Sequence, residues 1–558
     1  MAEIRGDRVG AALFADALAL VREQLILTDG DLGPLISAPP PNVNPEALRQ
    51  LGFMLDAGGW VLLESALADL PADLRWLFES GAVTLEQLAT LQSALGITAL
   101  ADLLVEIRRG SVRTLLGFNH EIEAAIVKAL PAIRAKTPRI PLGRAHTVAQ
   151  PFLARLRQIS GVEWAEPAGS LRRGQETVGD IEIVAPIEEP SPIFDTLVEL
   201  PDLSRVLHRG ARRLYLLTDR VQVGIRCPVP ATAGAAWLHL TGSPSHFERL
   251  QAIASGRGWT LGPEGLHRGP GEPCVSRSEE EIYSALDLPF IPPEIRNGDD
   301  ELTAAQKGSL PKLVTRAAIR GDLHMHTEFS DGRDTVEEMV KACVALKYEY
   351  MAITDHSPHS SASRNLSGDS VKRQADEIAG LRERYTQIAI LHGCEVDILP
   401  YGRLDFSDRI LEGFDIVLAS LHEDAGHSPE QLLKRYLGAM RHPLVTLITH
   451  PTNRLLPYRA GYDLDYDRLF AAAVETNTVV EIDGAPAHLD MDGAMARRAV
   501  AAGVTVAIDS DCHRAELLDR QMHLGITMAR RGWVEPHHVL NTRPIDEVRA
   551  RIAAKRAP

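Results

Sequence analysis

The chain has 558 residues, a formal net charge of −16, 45% hydrophobic and 24% charged side chains, which is ordinary for a soluble globular protein long enough for several domains. No apolar run approaches the ~20 residues of a membrane span, the N-terminal MAEIRGDRVG has no apolar signal core, and the five cysteines form no CxxC pair. A membrane protein, a disulfide scaffold and a cysteine zinc knuckle are therefore excluded, and a reducing cytoplasm is expected. Residues 319–558 hold 28 Lys and Arg against 36 Asp and Glu, half of the net charge. Neither half is a basic block, so contact with DNA must be local. One candidate is the run Arg205, Arg209, Arg212, Arg213, Arg220 and Arg226, interrupted by a single acid, Asp219; a solvated arginine-rich surface fits it equally well.

In chain order, residues 1–135 are predicted to be helical, because VTLEQLATLQSALGI and ALADLLVEIRRG space their apolar residues at three and four; APPPNVNPE (38–46) interrupts them as a loop. A helix is predicted over 147–160, followed by the β-rich segments IEIVAPI, RLYLLT and VQVGIRC. The stretch 291–313 mixes Pro, Gly and charge with little periodicity and reads as a linker. The expected domains are 1–135, 136–297 and 319–558, with 298–318 joining the last two. Beyond the linker, apolar strands alternate with helices, the pattern of a parallel sheet or barrel.

Histidines and acids recur at the C-terminal ends of those strands. His324 and His326 close the first, two apart and so on one face, and Asp331 follows in the next loop. His356 ends YMAITDH, Glu395 sits late in IAILHGCEVDIL, His422 ends IVLASLH and His450 ends LVTLITH. Asp511 and His513 end the last strand, again two apart. In a βα barrel these ends gather at one face, where active sites are built. One histidine at a strand end is commonly structural; nine such residues together point to a polynuclear site for Zn, Mn or Fe, with no thiolate needed. His359, His427, His442, His488 and His523 lack the pattern and are expected at the surface or behind the ligands. Cys394 and Cys512 flank ligand positions but alternate to the other face.

DLHMHTEFSDG, ITDHS, GCEVDIL, ASLHED, THP and DSDCH resemble the PHP (polymerase and histidinol phosphatase) family over about residues 320–550. The resemblance implies a distorted (βα)7 barrel holding two or three divalent metals. It implies one metal on His324, His326 and Asp511, a second on His422 and His450 with Glu395 bridging to the first, and a third on Asp331, His356 and His513. It further implies catalysis centred on Glu395, His324 and His513. Metals of this kind lower the pKa of water toward ~7 and clamp phosphate oxygens. Arg403 or Arg454 is placed to bind a substrate phosphate, or either is a surface arginine.

The segment GSLRRGQETVGDIEIV (169–184) is the second motif. A Gly-Ser turn can present backbone N–H groups to phosphate. Asp180 and Glu182 alternate on a strand and face one side, the arrangement of a Mg²⁺ or Mn²⁺ site for phosphoryl transfer, unless they are simply two exposed acids. The motif resembles the palm of family X DNA polymerases, as do GAAWLHLTGSPSHFERL (234–250) and EEEIYSALDLPFIPPEIR (279–296). With a PHP-like half following, the whole resembles a bacterial family X polymerase with a 3′–5′ exonuclease. Nucleotide contacts are then expected from Gly169, Ser170, Arg173, Gly179, Thr241 and Gly242.

This chain departs from the family at three places. The third palm Asp is replaced by Gln222, which carries no charge and cannot act as a base; Glu182 stands where Asp is usual and reaches one methylene further. His239 and Leu240 fill usually aromatic positions beside the nucleotide. In the helix–hairpin–helix region, LLGFNHEIEAAI keeps Gly117 but has Asn119 at the second glycine, ESGAVTLEQLA (79–89) fits worse, and no lyase lysine stands out.

The expected fold is thus multidomain α/β: a helical N-terminal region, a nucleotidyltransferase palm with antiparallel strands, and a PHP barrel. The expected function is metal-dependent 3′–5′ exonuclease action in DNA repair on a scaffold with an impaired polymerase site. Its partners are DNA, as 3′ ends in gaps or single strands, and dNTP, with no membrane and no obligate protein partner. An active gap-filling polymerase and a phosphomonoesterase of the histidinol-phosphatase type are the alternatives.

Overall fold

The computed structural model describes the chain from Leu74 to Ala557, apart from scattered positions between 75 and 108 and positions 137, 138, 201, 202, 219, 220, 272, 361, 363 and 457. The helices expected before residue 74 and the loop at 38–46 lie outside the described residues. The chain divides into two compact units, Met1–Pro138 and Arg139–Pro558. No helix among the described residues is long and apolar enough to cross a membrane.

In the first unit, α1 (Leu85–Leu95) opens with a Thr84–Gln87 capping box and closes on Gly96 at φ 63°. Gly117, at φ +83°, turns the chain into α2 (His120–Lys136). The Asn119 side chain accepts the Ile122 N–H at 2.8 Å. It therefore caps α2, a role glycine cannot fill through a side chain. Leu74, Leu88, Leu91 and Ile126 pack into the core of this unit.

The second unit begins with α3 (Leu142–Leu156) against a five-stranded sheet. Its strands are β1 (Glu166–Pro167), β2 (Ile181–Val184), β3 (Leu203–Arg209), β4 (Arg213–Thr218) and β5 (Val221–Arg226), in the order β1-β2-β5-β4-β3. β2 and β5 run parallel, Ile181 beside Val223 and Glu182 beside Gly224; the other neighbours are antiparallel. Three helices follow, α4 (Ala233–Thr241), α5 (Pro244–Ser255) and α6 (Glu279–Ala285), around Leu238, Leu250 and Tyr283.

The segment 298–318, expected as a linker, is folded. It contains α7 (Glu301–Gln306), and Leu302, Ala305 and Leu313 join the core of the preceding helices. Buried Glu301 bonds His246 Nδ1 at 2.7 Å and accepts the N–H groups of Gly298 and Asp299. A long-range anchor of this kind leaves no periodicity in the sequence.

The remainder is a seven-stranded parallel sheet in sequence order: β6 (Gly321–Asp322), β7 (Tyr350–Ile353), β8 (Ala389–Asp397), β9 (Ile416–Ser420), β10 (Leu447–Ile448), β11 (Val479–Asp483) and β12 (Val506–Asp509). A parallel bridge between Met325 and Cys512 brings its two ends together, so the sheet nearly closes into the expected barrel. Leu323, Tyr350, Ala352, Leu391, Leu418, Leu447 and Ala507 form one core cluster with Val548 and Ile552 of a C-terminal helix, α8 (Ile545–Arg556). Lys555 of that helix donates to the Met440 and Thr476 carbonyls and to Thr478 Oγ1. Cys394 and Cys512 are buried in the other cluster, away from the strand-end histidines.

Candidate metal centre and the palm acid face

The barrel brings all nine predicted residues into one continuous cluster. Glu395 lies at its middle. Its Oε2 is 2.9 Å from His356 Nδ1, 3.4 Å from His324 Nε2 and 3.6 Å from His326 Nε2. Its Oε1 is 2.9 Å from His450 Nε2 and 3.4 Å from His422 Nε2. Asp511 Oδ1 lies 3.0 Å from His326 Nε2 and 3.6 Å from His324 Nε2. Asp331 Oδ1 is 3.2 Å from His513 Nε2 and 3.6 Å from His356 Nε2.

Three groups have ligand atoms mutually within 4.8 Å: His324, His326 and Asp511; His326, Asp331, His356 and His513; and His356, Glu395 and His422. The first matches the set implied by the resemblance. In the others His326 and His356 each serve two groups, while His450 reaches the cluster through Glu395. His450 and Asp511 hold backbones at φ +23° and +48°, conformations that bulky residues keep only where surroundings force them.

The donor set suits a cation. Glu395 Oε2 and His356 Nδ1 are buried and neither has a hydrogen-bond partner, although they stand 2.9 Å apart. Buried polar atoms this close, with no hydrogen bond to satisfy them, are costly unless a cation takes them. Burial opposes ionisation of Glu395, but His356, His422 and His324 hold its carboxyl well below the usual range. Asp331 and Asp511 are likewise held low against burial by the imidazoles around them. Burial, with His513 and His356 beside it, pushes His326 down to about 3, so its imidazole is neutral at pH 7, the form that could ligate a metal.

Sequence reading missed the acids behind these ligands. Glu481 on β11 bonds His324 Nδ1 and the His450 N–H, both at 2.7 Å. Asp397, two residues past Glu395, bonds His422 Nδ1 at 2.9 Å. Both leave the Nε2 atoms turned toward the cluster, as outer partners of metal-bound histidines do. Buried Asp355 accepts from the Thr327 N–H, Ser330 Oγ and Gln374 Nε2, fixing the loop that carries Asp331. The signal was present: each acid lies in a strand segment already read, and β11 carries acids without a histidine.

Of the other histidines, His359, His442 and His523 pair with Glu423, Asp408 and Asp519. His488 stacks on His450, with ring centroids 5.6 Å apart. Arg454 donates to the carbonyls of His488 and Leu489, which makes it structural. Arg403 is exposed.

The palm is organised differently. Gly169 turns the chain at φ +60°, and Gly179 leads into the exposed Asp180. Arg173 donates to the Thr241 carbonyl next to Gly242, and the first four residues of the motif (169–172) form one helical turn carrying Ser170. Arg172 makes two bonds to Glu279, at 2.7 and 2.8 Å, and lies 3.3 Å over the Trp237 ring. Glu279 bonds Arg296 in the same way, both at 2.8 Å. Arg212 donates to the carbonyls of Ile187, Glu188 and Cys227, and Arg209 pairs with Asp195. These members of the arginine run are therefore structural, while the Arg205 side chain and Arg220 lie outside the described residues.

Glu182 is buried and its carboxylate is taken. Arg226 Nε donates to Oε2 at 2.8 Å and Nη2 to Oε1 at 3.4 Å, and the same guanidinium bonds the Tyr215 hydroxyl. A Cβ on Gly224 would stand 2.7–2.8 Å from the Glu182 carboxylate atoms, so the longer side chain fits only because Gly224 has none. The β2–β5 register, carried one residue back, sets Gln222 beside Asp180. A metal on Asp180 and Glu182, expected from the sequence, does not fit this arrangement, because a fixed cation already neutralises one acid and the third is absent.

Two family models and a relative matched over most of the chain agree with this architecture. Residues 236–297 match the DNA polymerase beta thumb family and residues 322–482 the PHP domain family. The chain is 34% identical over 500 residues to the DNA polymerase/3′-5′ exonuclease PolX of Bacillus subtilis, covering 89% of this chain and 87% of that protein. It is 29% identical to a probable phosphatase of Caldanaerobacter subterraneus over 34% of this chain and 75% of that one. A solved Leishmania infantum polymerase beta aligns with 40% of this chain and 98% of its own at 17% identity, with a TM-score of 0.28. The 34% identity to the Bacillus subtilis protein, spanning both the palm and the barrel, means that the chain belongs to the bacterial family X DNA polymerases that carry a C-terminal PHP domain, the PolX family.

Proposed function

We propose that the chain is a metal-dependent 3′–5′ DNA exonuclease of cytoplasmic DNA repair, acting at the barrel centre, on a scaffold whose polymerase site is impaired. The observation that carries this reading is the nine-residue cluster around Glu395. His324, His326 and Asp511 would hold one metal, His422 and His450 a second with Glu395 between the two, and Asp331, His356 and His513 a third. Metals there, Mn, Zn or Fe, lower the pKa of water and neutralise phosphate charge. The chain's own part is orientation. Glu481 and Asp397 fix the imidazoles, Asp355 fixes the Asp331 loop, and exposed Arg403 is free to reach a substrate phosphate. Glu395, His324 and His513 are the residues on which catalysis depends.

Impairment of synthesis is supported by Gln222 and by the Glu182–Arg226 pair. A palm without its third acid cannot deprotonate the primer hydroxyl, and such losses cost orders of magnitude. Gly169, Ser170, Arg173, Gly179, Thr241 and Gly242 are left to hold DNA or a dNTP in place.

The test is a 5′-labelled primer annealed in a one-nucleotide gap, with Mn²⁺ and dNTPs, resolved by length. Progressive shortening without extension is the expected result. Extension by one nucleotide would overturn the impairment and establish a gap-filling polymerase. No change in length, with release of phosphate from histidinol phosphate or p-nitrophenyl phosphate, would move the assignment to a phosphomonoesterase; the barrel-length relative of Caldanaerobacter subterraneus is named a probable phosphatase.

A further inference from the structure

Two hairpins rise from the rim of the barrel beside the metal cluster. The first extends β8 beyond Glu395. It is closed by an Ile398–Leu404 bridge, by the Leu399 N–H donating to the Arg403 carbonyl and by the Gly402 N–H donating to the Leu399 carbonyl, and it turns at Gly402, φ +77°. The second follows His450 and is closed by Leu455 and Arg459, each donating its N–H to the other's carbonyl. Both are tied to the same ligand. Asp397, at the foot of the first, bonds His422 Nδ1 at 2.9 Å. Asn453, at the foot of the second, donates to the His422 carbonyl at 3.3 Å and is itself clamped by Arg459.

Each hairpin carries one tyrosine at its tip, and neither ring is packed. Tyr401 is 89% and Tyr458 85% exposed, the only two aromatic residues among the large exposed apolar side chains in the described part of the chain. An exposed ring on a hairpin braced against a metal ligand is a surface for stacking. The electrostatics favour stacking over charge. Glu423 and Asp424 directly follow His422 in the loop after β9, and Arg403 is the only exposed cation of the first hairpin. A protein that grips nucleic acid through phosphates needs a basic groove, whereas one that stacks unpaired bases needs exposed π faces.

We infer that Tyr401 and Tyr458 form a clamp for unpaired nucleobases, which stacks the terminal bases of a single-stranded 3′ end while Arg403 holds a phosphate between them. The inference rests on the nuclease reading and narrows it: the substrate is a frayed or single-stranded end, and affinity comes from bases more than from backbone. It assigns Tyr401 and Tyr458 to substrate positioning, outside the reacting atoms.

The test uses the full chain in two arms. In the first, a fluorescein-labelled single-stranded oligonucleotide is titrated in EDTA and binding is followed by anisotropy. Tyr401→Ala and Tyr458→Ala should each weaken binding by about tenfold, and Tyr401→Trp and Tyr458→Phe should retain it. Two abasic sites at the 3′ end should weaken the unaltered protein to the same degree and add little to the alanine variants. The salt slope should stay shallower than about −2, as few phosphate contacts require. In the second arm, with Mn²⁺, the alanine variants should raise KM for the oligonucleotide about tenfold, leave kcat within about twofold, and leave hydrolysis of methyl p-nitrophenyl phosphate unchanged. Equal binding by all variants, indifference to abasic ends, or equal loss on both substrates overturns the clamp. Absence of any oligonucleotide cleavage by the unaltered protein overturns the nuclease reading instead, and the binding arm still decides the clamp.

Discussion

Two buried glutamates, Glu395 in the barrel and Glu182 in the palm, start from the same chemistry and end in opposite roles. Glu395 is ringed by imidazole nitrogens, each of which can donate a lone pair once neutral. Glu182 faces a guanidinium, which has only protons to offer and stays charged at any physiological pH. A buried carboxylate therefore suits a metal only where its neighbours can be ligands; beside a permanent cation it is half of an ion pair.

The largest effect is expected at the barrel. Glu395→Ala or His324→Ala should lower cleavage by at least ~1,000-fold and remove bound Mn²⁺, with the far-UV spectrum of the protein preserved. Cleavage that persists in a clean preparation would break the comparison at its first term. Chelation should act in the same direction: EDTA abolishes cleavage and lowers Tm. Mn²⁺ restored to ~100 times its Kd should return about 2.7 kcal/mol of stability, read by thermal melting.

The palm sharpens the contrast. Gln222→Asp alone should leave primer extension flat, because Arg226 still neutralises Glu182. Gln222→Asp with Arg226→Met should gain Mn²⁺ binding and measurable extension. Arg226→Met alone takes the guanidinium away from the buried Glu182 carboxylate, and should cost about 3–5 kcal/mol in denaturant unfolding. Extension by Gln222→Asp alone would show that the pair is no obstacle.

Glu279 takes the palm's solution furthest, lying between Arg172 and Arg296. Burial would raise its pKa, but the two guanidiniums overcome it and hold it at about 2, below the ordinary 4.5. A depressed carboxyl stabilises the fold fully above its unfolded pKa and loses that contribution as protons bind. Urea midpoints should therefore fall between pH 4.5 and 2 more steeply in this protein than in Glu279→Gln, which should already be less stable at pH 7. The smallest effect is expected from Lys555→Met, which removes three bonds that pin the C-terminal helix; it should cost about 1–3 kcal/mol and leave cleavage intact.

Much of the barrel was legible because its signals are local. Strand-end histidines two apart share a face, and β–α alternation dictates parallel strands, so His324, His326, Asp511 and His513 converge without reference to distant sequence. Glu481 and Asp397 escaped notice because an acid supporting a ligand has no spacing rule of its own. The segment 298–318 was misread for a similar reason, since Glu301 meets His246 across 55 positions and nothing near it is periodic.

The sequence by itself determined the nine candidate ligands, their order along the strands, the glutamine at position 222 and the resemblance of both halves to known families. Only the tertiary structure decided which acid faces a ligand and which faces a fixed cation. That choice depends on the parallel register of β2 and β5, which brings Arg226 onto Glu182 from 44 residues away over a glycine that leaves room. Pairing across strands is set by packing of the whole sheet, and no local pattern encodes it.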